Sequence, residues 1–86
     1  MRTDFTKSFH KQYQKLPKKT QTQFTERLKL FIADQNNQLL KVHSLMGKYR
    51  GCSSFNVTGN IRAVFKMEAS QVALFIAIGS HSELYE

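Results

Sequence analysis

The spacing of the apolar residues changes part-way along the 86-residue chain, from a helical period to a two-residue alternation. Before residue 34 these residues recur three or four positions apart, as on one face of a helix. After residue 52 they alternate with polar residues, as in a strand with one buried face. The four glycines all fall between residues 47 and 79, whereas the only proline, Pro17, falls early. We therefore expect a helical N-terminal part followed by a β-sheet.

The N-terminal part predicts two helices that meet at Pro17. The first helix would present a single apolar face made of Phe5, Phe9, Tyr13 and Leu16. Proline disfavours the α conformation in the residue before it and suits the first turn of a new helix. The second helix is expected over residues 18–34, and its buried stripe would consist of Phe24, Leu28, Phe31 and Ile32. Two such helices with a short connection form an αα-hairpin.

The C-terminal part predicts a three-stranded antiparallel meander. Residues 53–58 alternate, Gly59-Asn60 indicates a two-residue hairpin turn, and a second alternating strand starts at Ile61. After a turn at Ser70-Gln71, residues 72–78 are apolar on both faces, as in a central strand. The residues before Phe5 could add an edge strand. A bare meander cannot bury its apolar face, so we expect one α+β domain over residues 1–86 with the helical hairpin packed on the sheet.

The charge of the chain indicates a polyanionic partner. Thirteen Lys and Arg stand against six Asp and Glu, which gives a net charge of +7. Such a field favours nucleic acid, an anionic membrane surface or an acidic protein, and charge alone does not separate these. The longest apolar stretch is seven residues, far short of the ~20 that span a bilayer. Cys52 is the only cysteine, and no signal peptide is recognisable, so a cytoplasmic protein without a membrane partner is expected.

Four residues could meet at one positive site in this topology. Arg62 lies in the middle strand, on the face opposite Ile61; His81 follows the last strand, and His43 and Arg50 lie in the irregular segment before the first one. Histidine moves protons near neutral pH and arginine binds phosphate, which together suit RNA cleavage without a metal or another cofactor. Each of these residues alone is equally compatible with an ordinary surface position. Further candidate substrate contacts are Lys41, Lys48 and Lys66.

Three motifs follow one another in the C-terminal half. They are Leu45-Met46-Gly47-Lys48-Tyr49-Arg50-Gly51 with His43 before it, Ile61-Arg62-Ala63-Val64-Phe65, and Gly79-Ser80-His81-Ser82-Glu83-Leu84-Tyr85. The first resembles the Leu-x-Gly-x-aromatic-basic-Gly run that leads into the sheet of RelE/ParE superfamily toxins. The last is similar to the Gly-(Thr/Ser)-His motif of the YafQ-like branch. With the helical hairpin, the resemblance covers nearly the whole chain and implies a RelE-like fold.

The resemblance also implies a function. Toxins of this kind belong to type II toxin-antitoxin systems, cleave mRNA, typically on the translating ribosome, and are silenced by an acidic antitoxin. His81 carries over as a catalytic acid or base, Tyr85 as a residue that positions the substrate, and His43 as the histidine that precedes the glycine-containing run. Arg62 would supply positive charge to the phosphate, and an acidic antitoxin segment would cover Arg50 and Arg62.

The chain departs from the YafQ-like pattern at three places. Asn56 stands where a histidine is usual, Asn60-Ile61 where an Asp-Trp pair is usual, and Ala77 where an arginine is usual. Two alternatives therefore remain: a catalytically weakened member that only binds its antitoxin, and a ParE-like toxin that inhibits DNA gyrase on the same fold.

Overall fold

Two helices pack on one face of a five-stranded sheet, so the predicted α+β architecture is confirmed. The computed structural model describes residues 1–85. Its elements are β1 (Arg2–Phe5), α1 (Lys7–Gln14), α2 (Lys18–Ala33), β2 (His43–Ser44), β3 (Ser53–Asn56), β4 (Ile61–Ala69), β5 (Val72–Ser80) and α3 (His81–Tyr85), with 3₁₀ turns at Gln38–Leu40 and Gly47–Tyr49. None of the described helices has the length and hydrophobicity that crossing a bilayer would require.

The sheet contains more strands than the sequence predicted. Its order is β1-β5-β4-β3-β2, with β1 parallel to β5 and every other pair antiparallel. The predicted meander corresponds to β3, β4 and β5, and the N-terminal edge strand exists as β1. The two-residue strand β2 falls in a segment that the sequence left without regular structure. Because β1 covers the outer edge of β5, β5 is an internal strand, which agrees with its apolar sequence.

An irregularity in β5 changes which of its apolar residues face each side of the sheet. The register passes from Val64 opposite Ala77 to Phe65 opposite Phe75, which leaves Ile76 as an extra residue. Phe65 and Phe75 pack in the core beneath the helices. Val64, Ile76 and Ala77 pack in a second, smaller cluster on the other face of the sheet.

The core between helices and sheet is built from all seven phenylalanines of the chain. Phe31 of α2 is fully buried, and its ring centroid lies 4.8 Å from that of Phe65, 5.4 Å from that of Phe55 and 5.8 Å from that of Phe75. The tilted and edge-on angles between these rings are the arrangements that aromatic quadrupoles favour. The predicted stripe of α2 is wrong at Ile32, which is 43% exposed. With Phe31 directed at the sheet, the next side chain is turned by about 100° around the helix.

Helix α1 is shorter than the spacing of its apolar residues predicted. Phe5 belongs to β1, because Thr6 ends the strand and caps the helix. The Thr6 hydroxyl accepts a hydrogen bond from the Phe9 amide at 3.1 Å, while the Thr6 amide donates to the Phe75 carbonyl at 3.0 Å. At the other end, Leu16 lies beyond the last helical residue but still packs against the core.

The turn between β3 and β4 differs from the predicted two-residue turn at Gly59-Asn60. The Thr58 hydroxyl accepts hydrogen bonds from the amides of Asn60 and Ile61, at 3.2 and 3.0 Å. A side chain therefore closes this turn, and Gly59 does not need the positive φ that a two-residue turn demands. The predicted turn at Ser70-Gln71 is confirmed, since β4 ends at residue 69 and β5 begins at residue 72.

We expect Phe31→Ala to lower the free energy of unfolding by about 3–5 kcal/mol, because it removes a fully buried ring and leaves a cavity. Ile32→Ala is the matched control, on the same helix turn but partly exposed, and should cost about 1 kcal/mol or less. Urea unfolding followed by circular dichroism would measure both. Equal losses in the two variants would contradict the assigned orientation of α2.

Candidate active site

An open groove of about 340 Å³ lies on the sheet face that α1 and α2 leave free. Its lining consists of His43, Ser44, Leu45, Met46, Arg62, His81 and Tyr85. Three structural elements supply these residues: β2 with the chain that follows it, the middle strand β4, and the short helix α3. The groove thus combines two imidazoles, one guanidinium and one phenol.

Arg62 is held in place by the turn that precedes it. In the sheet it lies between Asn56 of β3 and Gly79 of β5. Its Nη1 donates to the carbonyl oxygens of Gly59 at 3.2 Å and Thr58 at 3.5 Å. Within residues 1–85 the only ion pair joins Arg2 and Asp4, so no described carboxylate neutralises the Arg62 guanidinium. Its remaining N–H groups suit a phosphate, which guanidinium binds in a bidentate manner.

His81 is positioned by the cap of the C-terminal helix. It is the first residue of α3, directly after the Ser80 cap. The Ser80 amide donates to Glu83 Oε1 at 2.8 Å, and the Glu83 amide donates to Ser80 Oγ at 3.2 Å. This reciprocal pair is a capping box. Leu84, fully buried against Val64 and the rest of the smaller cluster, fixes the helix on the sheet.

A row of aromatic rings continues from His81. The His81 and Tyr85 ring centroids are 4.7 Å apart, and Tyr85 meets Tyr49 edge-on at 5.8 Å. The ammonium of Lys48 lies 5.2 Å from the centroid of the Tyr49 ring. Burial raises the pKa of Tyr49, with smaller contributions from Tyr85 and Cys52. The Tyr49 phenol therefore stays neutral and serves as a wall that orients Tyr85.

Strand β3, between His43 and Arg62 in the sheet, contains two buried polar atoms without partners within residues 1–85. His43 is exposed on the edge strand β2 and pairs in register with Ser54, which in turn pairs with Val64. Ser54 Oγ and Asn56 Oδ1 are buried and have no hydrogen-bond partner among the described residues. Such groups are rare in folded proteins. Both atoms belong to β3, which lies between β2 and β4 and so separates His43 from Arg62 in the sheet.

The structure brings four of the eight predicted site residues into this groove, namely His43, Arg62, His81 and Tyr85. Arg50, predicted to converge with them, is not among the lining residues. It ends the 3₁₀ turn Gly47–Tyr49 and donates its amide to the Gly47 carbonyl, and this turn directs Tyr49 inward and leaves Arg50 exposed.

None of the three predicted lysines lines the groove. Lys48 contacts its aromatic row through Tyr49. Lys66 is exposed on β4, on the same face as Arg62 but four residues along the strand. Lys41 lines a different groove, on the far side of the β3–β4 turn.

Four contributors were absent from the sequence prediction: Ser44, Leu45, Met46 and Tyr49. Tyr49 occupies the aromatic position of the glycine-containing motif, and this position could have identified it as a site residue from the sequence. The exposure of Met46, at 83%, has no counterpart in the sequence pattern. His10, the remaining histidine, lies on the helical side of the molecule in a separate pocket with Phe5 and Phe9. Within residues 1–85, no three His, Cys, Asp or Glu side chains are grouped to hold a metal ion.

A family model and several solved structures match the chain, and both point to the same family of proteins. A family model described as the bacterial toxin of type II toxin-antitoxin system, YafQ, matches residues 1–86. Among solved structures, the chain is similar to YafQ from E. coli strain BL21(DE3), with 16% identity, a TM-score of 0.83 and complete coverage of both chains.

Two further structures share this fold. The E. coli DinJ-YafQ toxin-antitoxin complex is 17% identical with a TM-score of 0.79, over 98% of this chain and 96% of that one. The YoeB/ParE toxin from Agrobacterium tumefaciens is 20% identical with a TM-score of 0.77, over 94% and 99% of the two chains. No curated protein sequence matches the chain.

The capping box predicts a pH-dependent helix α3. The hydrogen bond from the Ser80 amide holds the pKa of the Glu83 carboxylate below its ordinary value. The carboxylate therefore supports the cap above that pKa, and its support is lost as the pH falls through it. In NMR titrations the Ser80 amide resonance should move with the protonation of Glu83. Glu83→Gln, which keeps an acceptor, should abolish that movement, and a Ser80 amide that still titrates in this variant would contradict the assignment.

Proposed function

This chain belongs to the YafQ family of bacterial type II toxins, and on that premise we propose that it is an mRNA interferase, an endoribonuclease that cuts mRNA on the translating ribosome. One observation supports this reaction above all: two histidines, one arginine and one tyrosine, from three separate elements, line a single groove. The family supplies the reaction class, and the groove supplies groups whose chemistry suits it.

The proposed reaction is a transfer of the phosphoryl group within the RNA strand. The 2′-oxygen of one nucleotide attacks the adjacent phosphorus, and the bond from phosphorus to the 5′-oxygen breaks. A base accepts the proton of the 2′-hydroxyl, and an acid donates a proton to the departing 5′-oxygen. The products are a 2′,3′-cyclic phosphate and a 5′-hydroxyl, so no water or cofactor is consumed.

The groove residues divide these tasks between them. We assign His81 as the principal proton-transfer group, because its position at the end of an internal strand is fixed by the capping box. His43, across the groove on β2, is the second proton-transfer group or a substrate contact. Arg62 stabilises the negative charge that develops on the phosphate. Tyr85, whose ring lies against His81, holds the substrate in position.

The departures from the family pattern make Arg62 more important in this chain. Ala77 is buried in the smaller cluster and brings no charge, and Asn56 beside Arg62 is neutral. Among the residues that line the groove, Arg62 alone has a permanent positive charge. Arg50, Lys41, Lys48 and Lys66 then act as outer substrate contacts, which attract the RNA through the overall charge of +7.

We expect His81→Ala to reduce the cleavage of ribosome-bound mRNA by about 10²–10⁴-fold, as is usual for the loss of one general acid or base. His10→Ala is the matched control, because His10 lies on the helical side of the molecule and should leave the rate unchanged. Primer extension on ribosome-bound mRNA would measure both rates, and circular dichroism would verify folding. Wild-type cleavage by His81→Ala would disprove the assignment. If the wild type itself cleaves no RNA, the gyrase-directed and binding-only alternatives gain support.

The proposed partner is an acidic antitoxin that covers the basic face. Support comes from the charge of +7 and from the toxin-antitoxin complex among the similar structures. We expect co-expression with the product of the neighbouring upstream reading frame to yield a stable complex. The complex should weaken as the salt concentration rises. Arg50→Glu should slow its formation, because it places a negative charge where the acidic segment docks. Pull-down and binding kinetics test this, and a complex that is indifferent to both salt and Arg50→Glu would contradict it.

A further inference from the structure

A second groove, of about 470 Å³, lies next to the candidate active site. It is lined by Arg27, Gln38, Leu39, Lys41, Asn56, Thr58 and Gly59. Thr58 and Gly59 connect it to the active-site groove, because their carbonyl oxygens accept the hydrogen bonds of Arg62, which lines that groove. A strand bound at Arg62 therefore reaches the second groove by passing over a single turn.

Two cations face this second groove from different elements. Arg27, on α2, donates Nη1 to the Leu39 carbonyl at 2.6 Å, so its guanidinium is held in a fixed place. Lys41, in the chain after the 3₁₀ turn Gln38–Leu40, is the only non-glycine residue with positive φ within residues 1–85, at 50°. Neither forms an ion pair with a carboxylate in that part of the chain. Both charges are thus available to an anionic ligand.

The same groove offers contacts for a nucleobase. Leu39 is 61% exposed and supplies an apolar surface on which a base can lie. Asn56 also lines the groove and brings a side-chain amide to it. A side-chain amide can form hydrogen bonds with the edge of a base or with a ribose hydroxyl. Phosphate, base and ribose contacts are therefore available at one place.

We propose that this groove is a second binding subsite for single-stranded RNA, which holds the nucleotides adjoining the scissile phosphate. The proposal rests on the proposed function, because it takes the strand at Arg62 to be RNA. An acidic peptide could also pair with the two cations. The hydrogen bonds of Arg62 to the turn that lines this groove, and the exposed apolar surface of Leu39, favour RNA. The peptide becomes an outcome of the test.

Lys41→Gly tests this proposal by removing a charge without disturbing the backbone. Glycine adopts positive φ at little cost, whereas lysine is strained there, so the substitution removes the charge without straining the backbone. The backbone hydrogen bond from residue 41 to the Gln38 carbonyl is retained. The stability of the protein should therefore not fall. Arg27→Gln provides a second variant, and Lys29→Gln on the same helix, which removes an exposed cation outside the groove, is the control.

The experiment compares two RNAs that carry a 2′-O-methyl group at the cleavage position, so that they bind without being cut. One is a dinucleotide that occupies only the active-site groove, and the other extends on both sides. Fluorescence anisotropy should show that Lys41→Gly and Arg27→Gln bind the long RNA about 3- to 10-fold more weakly than the wild type. In a plot of the logarithm of the binding constant against that of the salt concentration, the slope should become shallower by about 0.7 per lost phosphate contact. Binding of the dinucleotide, and binding of either RNA by Lys29→Gln, should match the wild type.

The outcomes separate this proposal from the proposed function. If the wild type cleaves mRNA but both variants bind long RNA as it does, the subsite is disproved and the nuclease assignment stands. If the variants lose affinity equally for the long RNA and the dinucleotide, the second groove is not a separate subsite. If they bind RNA normally but bind the antitoxin less tightly, the groove belongs to the acidic peptide and the proposal is overturned.

Discussion

The parallel pairing of β1 with β5 is the interaction on which the rest of the structure depends. Without it β5 would be an edge strand, with a row of unpaired backbone N–H and C=O groups along a long apolar sequence. The same contact starts the helical layer, because Thr6 ends β1, binds the Phe75 carbonyl through its amide and caps α1 through its hydroxyl. The Thr6 hydroxyl also donates to the Ile76 carbonyl at 3.3 Å. A four-residue strand thereby fixes both the sheet and the helices that cover it.

The candidate active site depends on how the side chains of β5 are distributed between the two faces of the sheet. The extra residue at Ile76 places two successive apolar side chains, Ile76 and Ala77, on the face away from α1 and α2. They form, with Val64, the surface on which Leu84 is buried, and so keep a helix of five residues in place. Such a short helix would not persist in water by itself. The backbone position of His81 therefore follows from packing in β5 and from the Ser80 cap, while its ring lies against Tyr85.

The sequence predicts features that depend on the spacing of apolar residues and on the alternation of side chains along a strand. It misses features that depend on individual hydrogen bonds. Helical spacing located α2 to within one residue, and alternation in β4 assigned Arg62 to the free face. The hairpin turn predicted at Gly59-Asn60 exists, but its two-residue form is wrong because the Thr58 hydroxyl closes a longer turn, which residue preferences do not reveal. Arg50 lies outside the groove lining for a similar reason, since the 3₁₀ turn Gly47–Tyr49 leaves it exposed. The bulge in β5 and the strand β2 arise from tertiary pairing, which a local pattern does not encode.

The charge of the chain links the site to its regulation. Six acidic residues cannot neutralise thirteen basic ones, and within residues 1–85 only Arg2 forms an ion pair. The cations therefore remain available, and self-repulsion between them disfavours the isolated fold. Any polyanion that binds them relieves this repulsion, whether it is RNA or an acidic protein. Because both ligands would use the same cations around Arg62, each excludes the other by simple competition. An antitoxin could then silence the groove without altering the geometry of His81, and the site would stay assembled while it is inhibited.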